Sequence, residues 1–153
     1  MTARKLDPHR PTGETLQFMQ RLWRLTHALE VRSKRMARTL GVTGPQRLVV
    51  RLIGQTPNLS ARDLASTLGI HPSTLTGIVA RLEAQRMIVR EADAKDRRKT
   101  RFRLTADGER VDRERKGTVE TAVRRALGKV DPDVVVHTVM LLDQLAAELE
   151  RAE

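Results

Sequence analysis

The sequence predicts a mostly helical α+β chain, a winged helix-turn-helix flanked by long N- and C-terminal helices. Three observations predict it. Both ends carry long stretches with apolar residues at helical spacing, and a glycine-centred pair of short helices occupies the middle. A short basic hairpin, in which apolar residues alternate with arginines, follows that pair at once. A length of 153 residues suits one domain or two small helical lobes sharing a core.

Residues 1–13 are polar, with Pro8, Pro11 and Gly13, and read as a flexible arm. From Glu14 to about Leu40 there is no Pro or Gly, and Phe18, Leu22, Leu25 and Leu29 form one stripe, with Leu16, Met19 and Trp23 beside it. Gly41 stops this helix, and Thr43-Gly-Pro45 starts a second whose expected core face is Leu48, Val49, Leu52 and Ile53. After a loop over 54–58, Ser60 caps a third helix carrying Leu64, Ala65 and Leu68, which ends at Gly69. A fourth is expected over 71–86. Met87–Arg90 and Thr100–Leu104 are short strands, turning through 92–99, and Phe102 and Leu104 alternate with Arg101 and Arg103. Thr105 is expected to cap one long, charged helix to about Val130. Asp131-Pro132 opens the last, lined on one side by Val135, Val139, Leu142, Ala146 and Leu149.

Charge narrows the partner. There are 29 Lys+Arg against 19 Asp+Glu, a formal net charge of +10, which favours a polyanion. Lys95–Arg103 contains six basic residues and one acid, whereas Pro132–Glu153 has five acids and one base. One end of the molecule seeks phosphate and the other does not. Cysteine is absent, which excludes disulfides, thiolate nucleophiles and zinc-finger ligand sets. The longest apolar run, Val134–Leu142, is broken by His137 and Thr138 and is too short for a membrane helix. The polar N-terminus resembles no secretory signal, so a cytoplasmic protein without a membrane partner is expected.

A DNA-reading helix-turn-helix needs a small residue where its helices cross, a glycine at the left-handed turn and an apolar stripe on the second helix. Ala65, Gly69, Leu75 and Ile78 meet these needs, and Leu75, Ile78, Val79 and Leu82 fall on one inward stripe. The opposite face carries Ser73, Gly77 and Ala80, flanked by Thr76 and Arg81. Short side chains there let a groove approach the backbone, and hydroxyls can bond base edges or phosphates. A hairpin tip with Arg97, Arg98 and Lys99 can reach a minor groove or flanking phosphates, and Arg101 and Arg103 are expected near the backbone. An ordinary helical hairpin beside a solvated loop is the bland alternative. The immediate succession of the two features argues against it.

The run Ser60–Gly108 resembles the multiple-antibiotic-resistance regulator (MarR) family. The matching pieces are Leu64-Ala65, Leu68-Gly69-Ile70, Ser73-Thr74, Arg81-Leu82-Glu83, Asp96-Arg97-Arg98, and Leu104-Thr105 followed by Gly108. The resemblance implies a homodimer joined through its terminal helices (14–40 and 105–153), with residues 41–104 as the DNA-binding domain. It also implies a repressor reading a palindromic operator in double-stranded DNA, with 71–86 in the major groove and the wing 88–104 in the minor groove. A small aromatic or phenolic effector would release it. By this match Arg98 enters the minor groove, Asp96 orients it through a salt bridge, and His71, Ser73, Thr74, Thr76, Gly77, Arg81, Arg97, Lys99 and Arg101 contact DNA. The chain departs from the family pattern at Pro72 and Gly77, where basic residues are common. It departs again at Gln85-Arg86, where Lys-Gly usually ends the recognition helix.

Trp23, the single tryptophan, reads as a seam residue or as a wall for an aromatic effector, with Arg62 or Asp63 as polar partners. His27, His71 and His137 are dispersed, so neither a metal nor another cofactor is expected. Ser73 and Thr74 have no nearby base to activate them, and no Gly-rich phosphate loop is present, so an enzyme is not expected. The alternative reading is a sequence-tolerant architectural DNA- or RNA-binding protein using the same wing.

Overall fold

A computed structural model describes residues 11–151. Among them, α1 (Pro11–Leu40), α2 (Gly44–Gln55), α3 (Ala61–Leu68) and α4 (Pro72–Ala84) precede the hairpin β1 (Ile88–Ala92) and β2 (Thr100–Leu104). Then follow α5 (Ala106–Arg113), α6 (Val119–Leu127) and α7 (Pro132–Glu150). The chain divides into two units, one ending at Glu114 and one beginning at Arg115. α1 starts inside the expected arm, at Pro11, a residue suited to a first helical turn. Residues 1–10 of that arm lie outside the described residues.

In the first unit, Thr43 and Gln46 form a reciprocal capping box at the start of α2. Its inward face is Gln46, Val49, Val50 and Ile53, so the expected Leu48 is instead 52% exposed. That face steps i, i+3, i+4, i+7, and Leu48 falls between its members. Gln46 is tolerated inside because both ends of its amide are bonded. Its Oε1 accepts the Thr43 N–H at 2.8 Å, and its Nε2 donates to Gln85 Oε1 at 3.3 Å. Gln85 in turn donates to the Gly41 carbonyl at 2.7 Å, tying the ends of α1 and α4 to the start of α2. The core gathers Val49, Val50 and Ile53 against Leu64, Leu75, Val79 and Leu82, with Ile88, Phe102 and Leu104 of the hairpin and Val111 of α5.

The expected helix from Thr105 to Val130 is two helices. α5 ends at Arg113, Glu114 is extended, Gly117 takes φ +78° and buried Thr118 caps α6. The Gly-Thr pair is a stop followed by a start, a signal that the surrounding charge pattern obscured. α5 thus lies in the same unit as the hairpin, the one that ends at Glu114.

Two contacts hold α5 there. Thr105 donates its N–H to the Met87 carbonyl at 3.0 Å and its hydroxyl to the Arg86 carbonyl at 2.6 Å, while Oγ1 accepts the Gly108 N–H at 3.1 Å. Gly108 lies so close to the same turn that a Cβ would sit 2.0 Å from the Met87 carbonyl oxygen. This is the physical content of the Leu-Thr-x-x-Gly motif. At the other end, the guanidinium of Arg47, 1% exposed, donates to the carbonyls of Val111 and, at 2.6 Å, of Glu114.

The turn from α4 to β1 closes without glycine. Met87 N–H bonds the Leu82 carbonyl and Arg86 N–H the Glu83 carbonyl, both at 2.9 Å, while Arg86 itself takes φ +57°. A left-handed residue with a Cβ costs about 1–2 kcal/mol, part of which a glycine would return as unfolded-state entropy.

In the second unit, Asp131 caps α7 through the Asp133 N–H at 2.8 Å. No described residue of α7 is buried, and Val139, Leu142 and Leu149 of its expected stripe are 52%, 44% and 77% exposed. Among the described residues, no helix is long and apolar enough to cross a membrane.

Two glycine exchanges test these turns by urea unfolding. Gly108→Ala is expected to destabilise by about 2 kcal/mol or more, since the obstacle is backbone. Arg86→Gly is expected to stabilise by about 0.5–1 kcal/mol. A neutral Gly108→Ala would remove the close approach as the reason for that glycine.

Candidate nucleic-acid interface

α3 and α4 form the helix-turn-helix. Ser60 caps α3 and Asp63 closes the box, its carboxylate accepting the Ser60 N–H at 3.0 Å and hydroxyl at 2.6 Å. Ala65 is buried at the helix crossing, Gly69 takes φ +61°, and the Ile70 N–H returns to the Ala65 carbonyl at 3.1 Å. His71 then caps α4, its Nδ1 accepting the Ser73 N–H at 3.2 Å and lying 2.7 Å from Ser73 Oγ. Leu75, Val79 and Leu82 are buried and Ile78 half-buried, as the spacing predicts.

The outward face of α4 presents Ser73, Thr74, Thr76, Gly77, Ala80 and Arg81, all exposed. Thr76 donates its hydroxyl to the Pro72 carbonyl at 2.9 Å, so it offers outward lone pairs and not a proton. A Cβ at Gly77 would meet nothing within 4 Å, and its φ is not left-handed. Alanine there would favour the helix by about 1 kcal/mol. The fold itself therefore has no use for a glycine at this point.

β1 and β2 pair antiparallel with Arg90 opposite Phe102 and Glu91 opposite Arg101. Three arginines of this hairpin are held by acids of the same unit. Arg90 grips Glu83 of α4 through two bonds of 2.9 Å and lies 5.4 Å from the Phe102 ring centroid. Arg103 bonds Glu91 at 2.7 Å, and Arg101 Nε bonds Asp93 at 2.5 Å. Each β2 arginine thus reaches the acid two residues beyond its own pairing partner, Glu91 within β1 and Asp93 just after it. Arg101, expected near a DNA backbone, has a second partner in the Asn58 carbonyl at 2.6 Å.

At the tip, Asp93 accepts the Lys95 and Asp96 N–H groups at 2.7 and 3.0 Å. Asp96 accepts the backbone N–H of Arg98 at 3.1 Å. It orients the chain at Arg98, and the expected side-chain salt bridge is absent among the described residues. Lys95, Arg97, Arg98 and Lys99 are exposed with no ion pair there, so the uncompensated charge of the wing is concentrated at its tip. The hydrogen bonds from Lys95, Arg101 and Asp96 lower the Asp93 carboxyl to about 2, and those from Ser60 lower Asp63. Glu83 raises Arg90 and Glu91 raises Arg103, so both stay charged.

Of the expected effector residues, Trp23 is 65% exposed and Arg62 is exposed, while the Asp63 carboxylate is committed to its cap. No cluster of three metal-binding side chains occurs among the described residues. Sequence reasoning missed Asp93, Arg90 and Glu91 as wing residues. The signal was there in the acids at 91 and 93 facing arginines at 101 and 103 across a turn.

The MarR family model matches residues 40–99. The HTH-type transcriptional regulator FarR of Neisseria gonorrhoeae is 31% identical over 115 residues, 73% of this chain and 74% of that protein. The chain belongs to the MarR family. The homoprotocatechuate degradative operon repressor of Escherichia coli is 26% identical over 69% of this MarR-family chain and 72% of its own length. Among solved structures, the S. aureus MepR–DNA complex superposes with TM-score 0.69 at 17% identity, covering 88% of this chain and 98% of that one. At that identity it speaks for the fold, a winged helix. CouR of Rhodococcus jostii RHA1, solved bound to p-coumaroyl-CoA, has TM-score 0.64 at 26% identity, covering 86% of this chain and 92% of its own.

The Asp93 bonds give a pH expectation. Its folded pKa lies below the ordinary 3.8, so its stabilisation of the tip is complete above about pH 4 and is lost as pH falls through about 2. Carboxyl NMR should show Asp93 titrating near 2, with the Lys95 and Asp96 amides shifting together. Titration near 3.8 would mean the tip is not held by this carboxylate.

Proposed function

We propose that the chain is a sequence-specific, double-stranded-DNA-binding transcription regulator, a ligand-responsive repressor that reads a palindromic operator as a homodimer. On this reading α4 occupies the major groove and the hairpin tip a minor groove. The observation that carries it is the sorting of charge. The hairpin neutralises the arginines along its strands and leaves four cations at its tip, beside a helix whose outer face is short and hydroxyl-bearing. Ser73, Thr74, Thr76, Gly77 and Arg81 would meet base edges and phosphates, Arg97 and Lys99 flanking phosphates, and Arg98 the minor groove. His71 serves first as the cap of that helix.

Support for the dimer comes from the terminal helices. Trp23, Leu25 and Leu29 of α1 are 41–65% exposed, and Val134, Val136, Val139 and Met140 of α7 exceed 50%. Apolar surface of this extent calls for a partner, and a second copy supplies one through residues 14–35 and 132–150. Sedimentation velocity at micromolar concentration should give a dimer. A well-folded monomer there would sink this part of the reading. For the effector, the aromatic compounds named with the Escherichia coli repressor and with CouR support an aromatic or phenolic compound.

A salt titration of DNA binding tests the whole. Arg98→Ala is expected to cost about 1–3 kcal/mol and to lower the log–log salt slope by about one per subunit. Arg110→Ala removes the same charge from a residue already paired with Asp107 at 2.9 Å on α5, and should change neither beyond long-range charge. Gly77→Ala should bind more weakly although its helix is more stable, and adding phenolic acids should release the duplex. Equal effects of the two arginine exchanges would reduce the wing to a charged surface.

A further inference from the structure

Arg101 looks, by composition, like one more phosphate contact in a basic wing. Its geometry says otherwise. Nε donates to Asp93 Oδ2 at 2.5 Å and Nη1 to the Asn58 carbonyl at 2.6 Å, with the Asp63 carboxylate 3.9 Å from the same nitrogen. The backbone of Arg101 also bridges Ser60, and the neighbouring Phe102 N–H donates to the Leu59 carbonyl at 3.1 Å. The segment before α3 is therefore joined to the hairpin by a single antiparallel bridge, and Arg101 sits at that junction.

The bonds continue in both directions. Towards the helix-turn-helix, Asp63 and Ser60 close the cap of α3, and α3 packs on α4. Towards the tip, Asp93 uses its second oxygen to hold the Lys95 and Asp96 amides, and Asp96 holds the Arg98 amide. An unbroken path of hydrogen bonds and one ion-pair contact thus runs from the N-terminus of α3 to the backbone of Arg98, and the Arg101 side chain joins its two halves. We propose that Arg101 is a positioning residue, which fixes the wing tip relative to the reading helix and does not itself bind phosphate. This rests on the DNA-binding reading above for its consequence, though not for its geometry.

Charge makes the test sharp. Asp93→Asn removes a negative charge from the wing, so a wing acting by charge alone would bind DNA more tightly. A wing held through Asp93 and Arg101 would bind more weakly. The probes are a duplex recovered from a random library by selection with the wild-type chain and a scrambled duplex of equal length, titrated across a salt series.

Arg101→Ala and Asp93→Asn are each expected to weaken the selected duplex roughly tenfold, with the salt slope unchanged and the double variant no weaker than the worse single one. Arg101→Lys keeps the charge but lacks the planar fork, and should not rescue. In the DNA-free protein, amide exchange at Lys95, Asp96 and Arg98 should accelerate in Arg101→Ala and Asp93→Asn, while Gly77→Ala leaves it unchanged. Tighter binding by Asp93→Asn, or a slope lowered by about one per subunit in Arg101→Ala with tip exchange unaltered, would overturn the proposal. The exchange measurement decides the relay even if wild type selects no duplex, an outcome that would instead sink the DNA-binding reading.

Discussion

The winged unit depends on a permanent charge buried in it. The place of the Arg47 guanidinium in the interior is tolerated because backbone carbonyl oxygens accept from it. The Val111 carbonyl lies in the last turn of α5, where it also accepts the Glu114 N–H, and Glu114 is the residue that caps that helix, beside the negative end of its dipole. Each side needs the other. The guanidinium fixes α5 against α2, and the approach of Gly108 to the Met87 carbonyl fixes the same helix against the turn that launches the wing. α2 therefore acts as the keel from which both α5 and the hairpin are set.

Within that frame, acids are as important to the wing as bases. Glu83, Glu91 and Asp93 each take one arginine of the hairpin, two of them across the strands and one back to α4. Exposed pairs of this kind contribute little stability singly. Their effect is geometric, because a forked Arg90–Glu83 contact and the Arg101 junction attach the hairpin to the helix-turn-helix from both strands. Net charge describes such a wing poorly. What matters is which cations have been left without an acid, and those cluster at residues 95–99.

The fold was legible wherever a local signal had one meaning. Ser60, Gly69, His71-Pro72 and the stripe through Leu75, Val79 and Leu82 led directly to helix, turn and helix, because caps and left-handed turns are set by nearest neighbours. Leu48 misled because apolarity was read without its phase on the helix, and Arg47 and Gln46 took the inward places that hydrogen bonds made available. The split between α5 and α6 was legible at Gly117-Thr118 but lay inside a run of charges that mimics a continuous solvated helix. The site was half legible. Exposure of the α4 face and of the tip cations follows from pattern, whereas the occupation of Arg101 depends on Asn58 and Asp63, more than thirty residues away, brought near only by tertiary folding.

The chemistry of the α4 face bears on how such a domain would discriminate. Its hydroxyls are partly committed: Thr76 donates to Pro72, and Ser73 shares its hydroxyl with the His71 ring. Arg81 is the one long cationic side chain on a face otherwise made of Ser, Thr, Gly and Ala. A helix with so few long readers forms few bidentate base contacts, so on the proposed reading its selectivity leans on close backbone approach and on the shape of the duplex. Shape is read only by a rigid gauge. Ordering a loose hairpin at the moment of binding would subtract from affinity and would let the tip follow grooves of differing width. The paired arginines along the strands remove that freedom beforehand, so on the proposed reading the acids of the wing serve the sensing of groove geometry.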